Sequence, residues 1–174
     1  MVFYMLKRKL FYFSLCATLF FWFYIIFKIA AVYNTLQPIQ GTVTQVEKSR
    51  NRIPVYILHL QQYKSRFKSV GNGTLSLLKP APDVHTEVLF YIREQDKTKI
   101  WHNDIVPAFG LHHYTLVDCY YFTVRPSLGQ QVLIMIISFI ICCFNALAYA
   151  AFKTKLTWRI FGASLLIFFL LMLL

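Results

Sequence analysis

His102, His112, His113, Asp118 and Cys119 are the residues of this chain whose types come closest to catalytic or metal chemistry. Imidazole, carboxylate and thiolate are the usual zinc ligands, and a Cys near a His is a possible nucleophile. The spacing argues against both. No His pair has the i, i+4 separation that places two imidazoles on one helical face, and there is no CxxC. His112 and His113 are adjacent, so on a strand they point to opposite faces. No local signature surrounds Cys119. These residues read as an interfacial, hydrogen-bonding cluster, with His102, His112 and His113 as weak metal candidates. No catalytic residue and no cofactor is expected. The alternative is a membrane-interfacial enzyme acting on lipid or envelope substrates through His102, His112, His113 and Asp118.

A second candidate is basic. Lys48, Arg50, Arg52, Lys64, Arg66 and Lys68 gather around one turn and one hairpin. Lys64, Arg66 and Lys68 alternate, so on a strand they share a face, opposite Tyr63, Ser65 and Phe67. Lys64, Arg66, Lys68, Arg50 and Arg52 are the partner-binding candidates, toward an acidic protein surface or lipid headgroups.

Something must hold these groups in place, and the composition says what. Of 174 residues, 57% are hydrophobic and 14% charged, against roughly a quarter charged in an ordinary soluble domain. So few charges cannot cover a water-soluble surface. An ordinary cytosolic enzyme is excluded, and so is a disordered nucleic-acid-binding tail, despite a net charge of +11.

Three apolar runs explain the composition. A bilayer core about 30 Å thick needs about 20 helical residues. Residues 10–32, 131–152 and 158–174 supply three such helices, the last reaching full length by starting near Leu156. The first run follows Lys7, Arg8 and Lys9 but is too long and too aromatic for a cleaved signal peptide. A second basic cluster, Lys153, Lys155 and Arg159, lies around the hinge 153–157. Basic flanks mark the cytoplasmic side. Both clusters are satisfied together when residues 1–9 are cytoplasmic, residues 34–130 are outside and the C-terminus is outside. All seven acidic residues fall in the external segment, so a solo transporter or pump, which needs a titrating group within the membrane, is not expected.

Within the spans, Asn145 is the strongly polar residue, with Ser14, Thr18, Ser138 and Ser164 as weaker ones. Ala146 and Ala150 form a small-xxx-small pair and Gly162 opens the third helix. With Asn145 they are expected to pack the second helix on the third, or on a partner. The cysteines Cys16, Cys142 and Cys143 lie in spans, leaving Cys119 alone outside, so no disulfide can form within the external segment.

The external segment, 34–126, alternates short bursts of β-branched and aromatic residues with turn formers. Thr42–Val46, Pro54–Leu60, Tyr63–Val70 and Thr86–Arg93 read as strands, and Gly71-Asn72-Gly73 suits a tight hairpin. The fold class is therefore membrane α plus small β: three transmembrane helices with an antiparallel β barrel or sandwich-like domain between the first and second. The aromatic stretch 100–126 suits the membrane interface, and Leu116–Val124 reads equally as a last strand or an interfacial helix.

The order of Gly41-Thr42-Val43, Tyr56–Leu60, Tyr63 with Phe67, and Pro82-Asp83-Val84 followed by Val88–Ile92 between apolar helices resembles a widespread class of small bacterial membrane proteins. These carry a compact extracytoplasmic β domain of unknown function. The resemblance covers about a third of the chain and departs after Ile92, where Arg93-Glu94-Gln95-Asp96-Lys97 replaces a short Asp/Asn-Pro turn. It implies a bacterial inner membrane and a periplasmic β domain, and no reaction.

The function expected from these observations is non-catalytic binding of another membrane or periplasmic protein at the membrane surface. An immunity or exclusion factor and an accessory subunit of a membrane complex both fit. Membrane lipid is a partner, nucleic acid is not, and a homo-oligomer is left open.

Overall fold

The computed structural model describes residues 2–49, 55–70, 81–111 and 114–173. Helix α1 is Val2–Tyr33. Five strands follow: β1 Leu36–Lys48, β2 Tyr56–Leu60, β3 Arg66–Ser69, β4 Glu87–Arg93 and β5 Ile105–Ala108. Helices α2 Thr115–Thr123, α3 Leu128–Phe152 and α4 Lys155–Leu173 complete the order. The chain forms two compact units, one from residues up to Phe27 with Ser127 onward, the other from Lys28 to Pro126.

In the helical unit, Lys9–Tyr33, Gly129–Phe152 and Lys155–Met172 are long and apolar enough to cross a membrane. Ser127 caps α3, its hydroxyl accepting from the Gln130 N–H at 3.3 Å. The hinge between α3 and α4 is shorter than residues 153–157. Lys153 adopts φ 49°, in the left-handed region, and ends α3. Thr154 and Thr157 then cap α4 reciprocally, each hydroxyl accepting from the other's backbone N–H at 3.2 Å. The two helices pack through rings, Phe139 on Phe168 and Tyr149 on Trp158 and Phe161.

In the other unit the strands form one curled five-stranded sheet, a half-barrel in the order β4-β1-β2-β3-β5. β1 does most of the curling. Its first half pairs with β4 and its second half with β2, with a register shift between Val43 and Gln45. A bulge of this kind bends a strand and sharpens its twist. Gly41 sits at the bend, where a Cβ would lie 2.7 Å from Gln62 Oε1, the atom that accepts the Thr42 N–H at 3.0 Å.

Three neighbouring strand pairs are antiparallel, as the alternation implies. The fourth is not: β3 and β5 run parallel. The reason is topological, because the chain leaves β4 through two 3-10 turns, Glu94–Asp96 and Lys99–Trp101, and reaches the far edge of the sheet before pairing. Ser65 holds that crossover, its hydroxyl donating to the carbonyls of Lys99 and His102 at 2.5 and 2.7 Å. The edges then meet at one point, where Tyr91 and Phe109 exchange both backbone hydrogen bonds at 2.8 Å. Val43, Leu58, Phe67, Phe90, Ile92 and Val106 fill the inside, each fully buried.

The stretch that reads equally as strand or interfacial helix is a helix, α2. Pro126 ends it, since the residue before a proline is steered away from helical backbone. The Gly71-Asn72-Gly73 hairpin lies outside the described residues.

Candidate functional site

The outer face of the half-barrel is built by register. Around β3, His59, Arg66 and Ile105 form one row and Ile57, Lys68 and Pro107 the next. Phe67 between them points inward and is fully buried, so Arg66 and Lys68 must point outward. Lys64 is exposed in the turn before the strand. Among the described residues, none of these three cations makes an ion pair. Trp101 and Ile105 add exposed apolar area beside them, and the Trp101 ring packs on Tyr63. Arg50 and Arg52 lie outside the described residues.

Two other cations of this unit are committed. Asp96, 1% exposed at its side chain, accepts from Arg93 at 2.6–2.7 Å and from Lys99 at 2.7 Å. The Arg93 guanidinium also lies 4.6 Å from the ring centroid of Phe122 on α2. The residues Arg93–Lys97, which depart from the resembled pattern, therefore build a buried ion network. Its i, i+3 spacing, Arg93, Asp96, Lys99, was the sequence signal for it.

α2 packs where the sheet edges meet. Phe122 contacts both Arg93 of β4 and Phe109 just after β5. Gly110 makes the turn, with φ +73°, and a Cβ there would lie 2.5 Å from Thr115 Oγ1. Its N–H donates to the buried Asp118 carboxylate at 2.7 Å. Burial, reinforced by the neighbouring Asp118 charge, pushes the Cys119 thiol up to about 12. Such a thiol stays protonated at neutral pH and is a poor nucleophile. Burial also raises the Tyr120 phenol, against the lowering pull of Arg125, which is hydrogen-bonded to it. Tyr121 is pushed up to about 12, mainly by burial. A cleft of about 220 Å³ opens between Lys68, Ser69, Val70 and Pro107 on the sheet and Tyr121, Phe122 and Pro126 at the end of α2.

The His102 side chain is exposed and its carbonyl is occupied by Ser65, whereas Asp118 is buried and engaged by Gly110. His112 and His113 lie outside the described residues. Among the described residues no group of three or more His, Cys, Asp or Glu is placed to hold a metal.

In the helical unit, Asn145 is 1% exposed and turns toward α1, not α4. It accepts from the Ser14 hydroxyl and donates to Thr18 Oγ1 at 2.9 Å, while Thr18 donates on to the Ser14 carbonyl at 2.8 Å. Ala146 is half-buried, Ala150 is exposed, and a Cβ on Gly162 would meet nothing within 4 Å.

No family model, no curated protein and no solved structure matches this chain.

Proposed function

We propose that this chain is a non-catalytic, membrane-anchored recognition protein whose half-barrel binds another protein at the membrane surface. The observation that carries this is the contrast in how cations are used. Arg93 and Lys99 converge on a buried carboxylate, whereas Lys64, Arg66 and Lys68 face outward with no acidic partner among the described residues. Basic charge beside exposed Trp101 and Ile105 is a mixture that interface hot spots favour. An acidic protein surface is the complementary partner.

The basic flanks at Lys7–Lys9 and Lys153–Arg159 support an N-terminus in the cytoplasm, with the half-barrel and the C-terminus outside. The resemblance to small bacterial membrane proteins supports the inner membrane and a periplasmic half-barrel. In that setting the protein acts as an immunity or exclusion factor, or as an accessory subunit of a membrane complex.

The test is co-purification from native membranes with an N-terminally tagged copy, followed by charge reversal. Lys64→Glu with Arg66→Glu is expected to weaken partner binding roughly tenfold, and more at low salt. Unchanged binding in that double variant reduces the face to solvated surface and sinks the proposal. Replacing His112 and His113 with Ala is expected to leave function unaltered at equal protein level. Abolished function would instead favour the interfacial enzyme.

A further inference from the structure

Leu58 is fully buried, so its neighbours Ile57 and His59 point outward from β2. Val46 packs on the core, so Gln45 and Glu47 point outward from β1. The register then lays two rows across the outer face: Gln45, His59, Arg66 and Ile105, and beside them Glu47, Ile57, Lys68 and Pro107. Neighbouring strands lie about 5 Å apart, so His59 stands next to Arg66 of the basic face.

His59 is also tied to the acid in the other row. Its Nε2 lies 2.8 Å from Glu47 Oε1, and both side chains reach solvent, at 30% and 44% exposure. An ionised carboxylate only accepts, so Nε2 carries the hydrogen of this bond and a further proton enters at Nδ1. Imidazole is the side chain that gains charge as pH falls from 8 to 5. The charged groups around it are Glu47 on β1 and Arg66 and Lys68 on β3. β5 brings the uncharged Ile105 and Pro107, with Asp104 exposed one residue before the strand.

With His59 neutral, the Glu47 carboxylate stands unmatched on the face that carries Arg66 and Lys68, and it repels an acidic partner. With His59 protonated, that negative charge is matched. We propose that protonation of His59 raises the affinity of the outer face for an acidic partner, with Glu47 as the built-in acid that it neutralises. The inference rests on the reading of this face as the docking surface for an acidic protein. By linkage, a partner that favours the protonated imidazole binds more tightly as pH falls. A unit charge about 6 Å from its counterpart in a water-like medium changes affinity roughly threefold.

The experiment is fluorescence anisotropy of a rhodamine-labelled octa-aspartate peptide, titrated with the full chain in dodecylmaltoside at low salt, at pH 7.5 and pH 5.5. Aspartate is ionised at both. The wild-type chain is expected to bind about threefold more tightly at pH 5.5. His59→Gln is expected to match wild type at pH 7.5 and to lose this gain, whereas His85→Gln, at the turn before β4, keeps it. Glu47→Gln is expected to bind about threefold more tightly than wild type at pH 7.5, and it tests the proposal even where His59→Gln folds poorly. A gain of about twofold or more in folded His59→Gln overturns the proposal, as does unchanged or weaker binding by Glu47→Gln at pH 7.5. Lys64→Glu with Arg66→Glu tests the underlying reading by itself. Binding lost at both pH values in that double variant supports the docking face, whatever the histidine variants do. Unchanged binding in it removes the docking face, and the switch with it.

Discussion

The two compact units both bury polar side chains, but they satisfy them by different means. In the helical unit the buried cluster is neutral: an amide and two hydroxyls, Asn145, Ser14 and Thr18, satisfy one another between α1 and α3. In the half-barrel the buried groups include, beside the Ser65 hydroxyl, two carboxylates, Asp96 with two cations and Asp118 with a backbone N–H. The surroundings account for the difference. On the membrane-spanning reading proposed above, a charge on an apolar helix has no water to retreat to, so polarity there is confined to groups that can be paired without ionising. The half-barrel has a wet outer face, from which Arg93 and Lys99 can reach inward while keeping part of their length solvated.

The largest effect expected from this contrast is at Asp96. Replacing it with Ala leaves Arg93, 19% exposed at its side chain, without its partner, whereas Lys99, half exposed, recovers water. Breaking a buried pair from one side costs about 3–5 kcal/mol. Asp96→Ala should lie near the lower end of that range, read as a lowered thermal midpoint of the full chain by circular dichroism in detergent. A loss below about 1 kcal/mol would make the network an ordinary surface pair and would erase the contrast.

Alkaline pH probes the same unit from α2. Folding raises the Cys119 thiol from 9.0 to about 12 and the Tyr121 phenol from 10.0 to about 12. The folded state holds both protons more tightly than the unfolded state does. The resulting stability is full below about pH 9 and is lost as pH climbs through 9–12. The denaturation midpoint is therefore expected to fall between pH 8 and pH 11, and to fall less in Cys119→Ala. Iodoacetamide offers a second readout, since burial holds Cys119 as the unreactive thiol at pH 8. Rapid alkylation of Cys119 in the folded protein would contradict its burial.

How much of this was legible in the sequence follows from the range of the interactions involved. The long apolar helices depend on local hydropathy alone, and all three are where the runs place them. β2, β3 and β4 show as β-rich bursts because one face of each is buried, whereas of β1 only Thr42–Val46 shows and the half from Leu36 that pairs with β4 does not. β5 did not, because Ile105-Val106-Pro107-Ala108 is short, contains a proline and pairs with a strand almost 40 positions earlier. α2 was undecided because Val117, Tyr120, Tyr121 and Phe122 suit strands as well as helices. Its fit over the meeting edges of the sheet, through Phe122, is a tertiary matter. The polarity of Asn145 was plain, but which neighbour it faced was not, since nothing in the sequence says how the helices are rotated.

Asn145 gives a smaller prediction. Hydrogen bonds between membrane helices contribute about 0.6 kcal/mol on average and up to about 1.7. Asn145→Leu, close in volume, is expected to cost about 1 kcal/mol, measured by unfolding in mixed micelles, with Ser14→Ala costing less because Thr18 still receives the amide. A cost equal to that of Asp96→Ala would mean that the helical unit depends on polar pairing as heavily as the half-barrel does.

The smallest effect is expected at Gly162. Small residues were expected to bring α3 and α4 close, yet an added methyl there meets nothing within 4 Å. Removing a glycine from a helix interior gains up to about 1 kcal/mol of helix propensity. Gly162→Ala should therefore be neutral or slightly stabilising in the purified chain. A loss of more than about 1 kcal/mol would show that another helix occupies this open face, from a second copy or from a partner. Dilution separates those two, because a self-associating chain loses stability as its concentration falls whereas a separate partner must be added back.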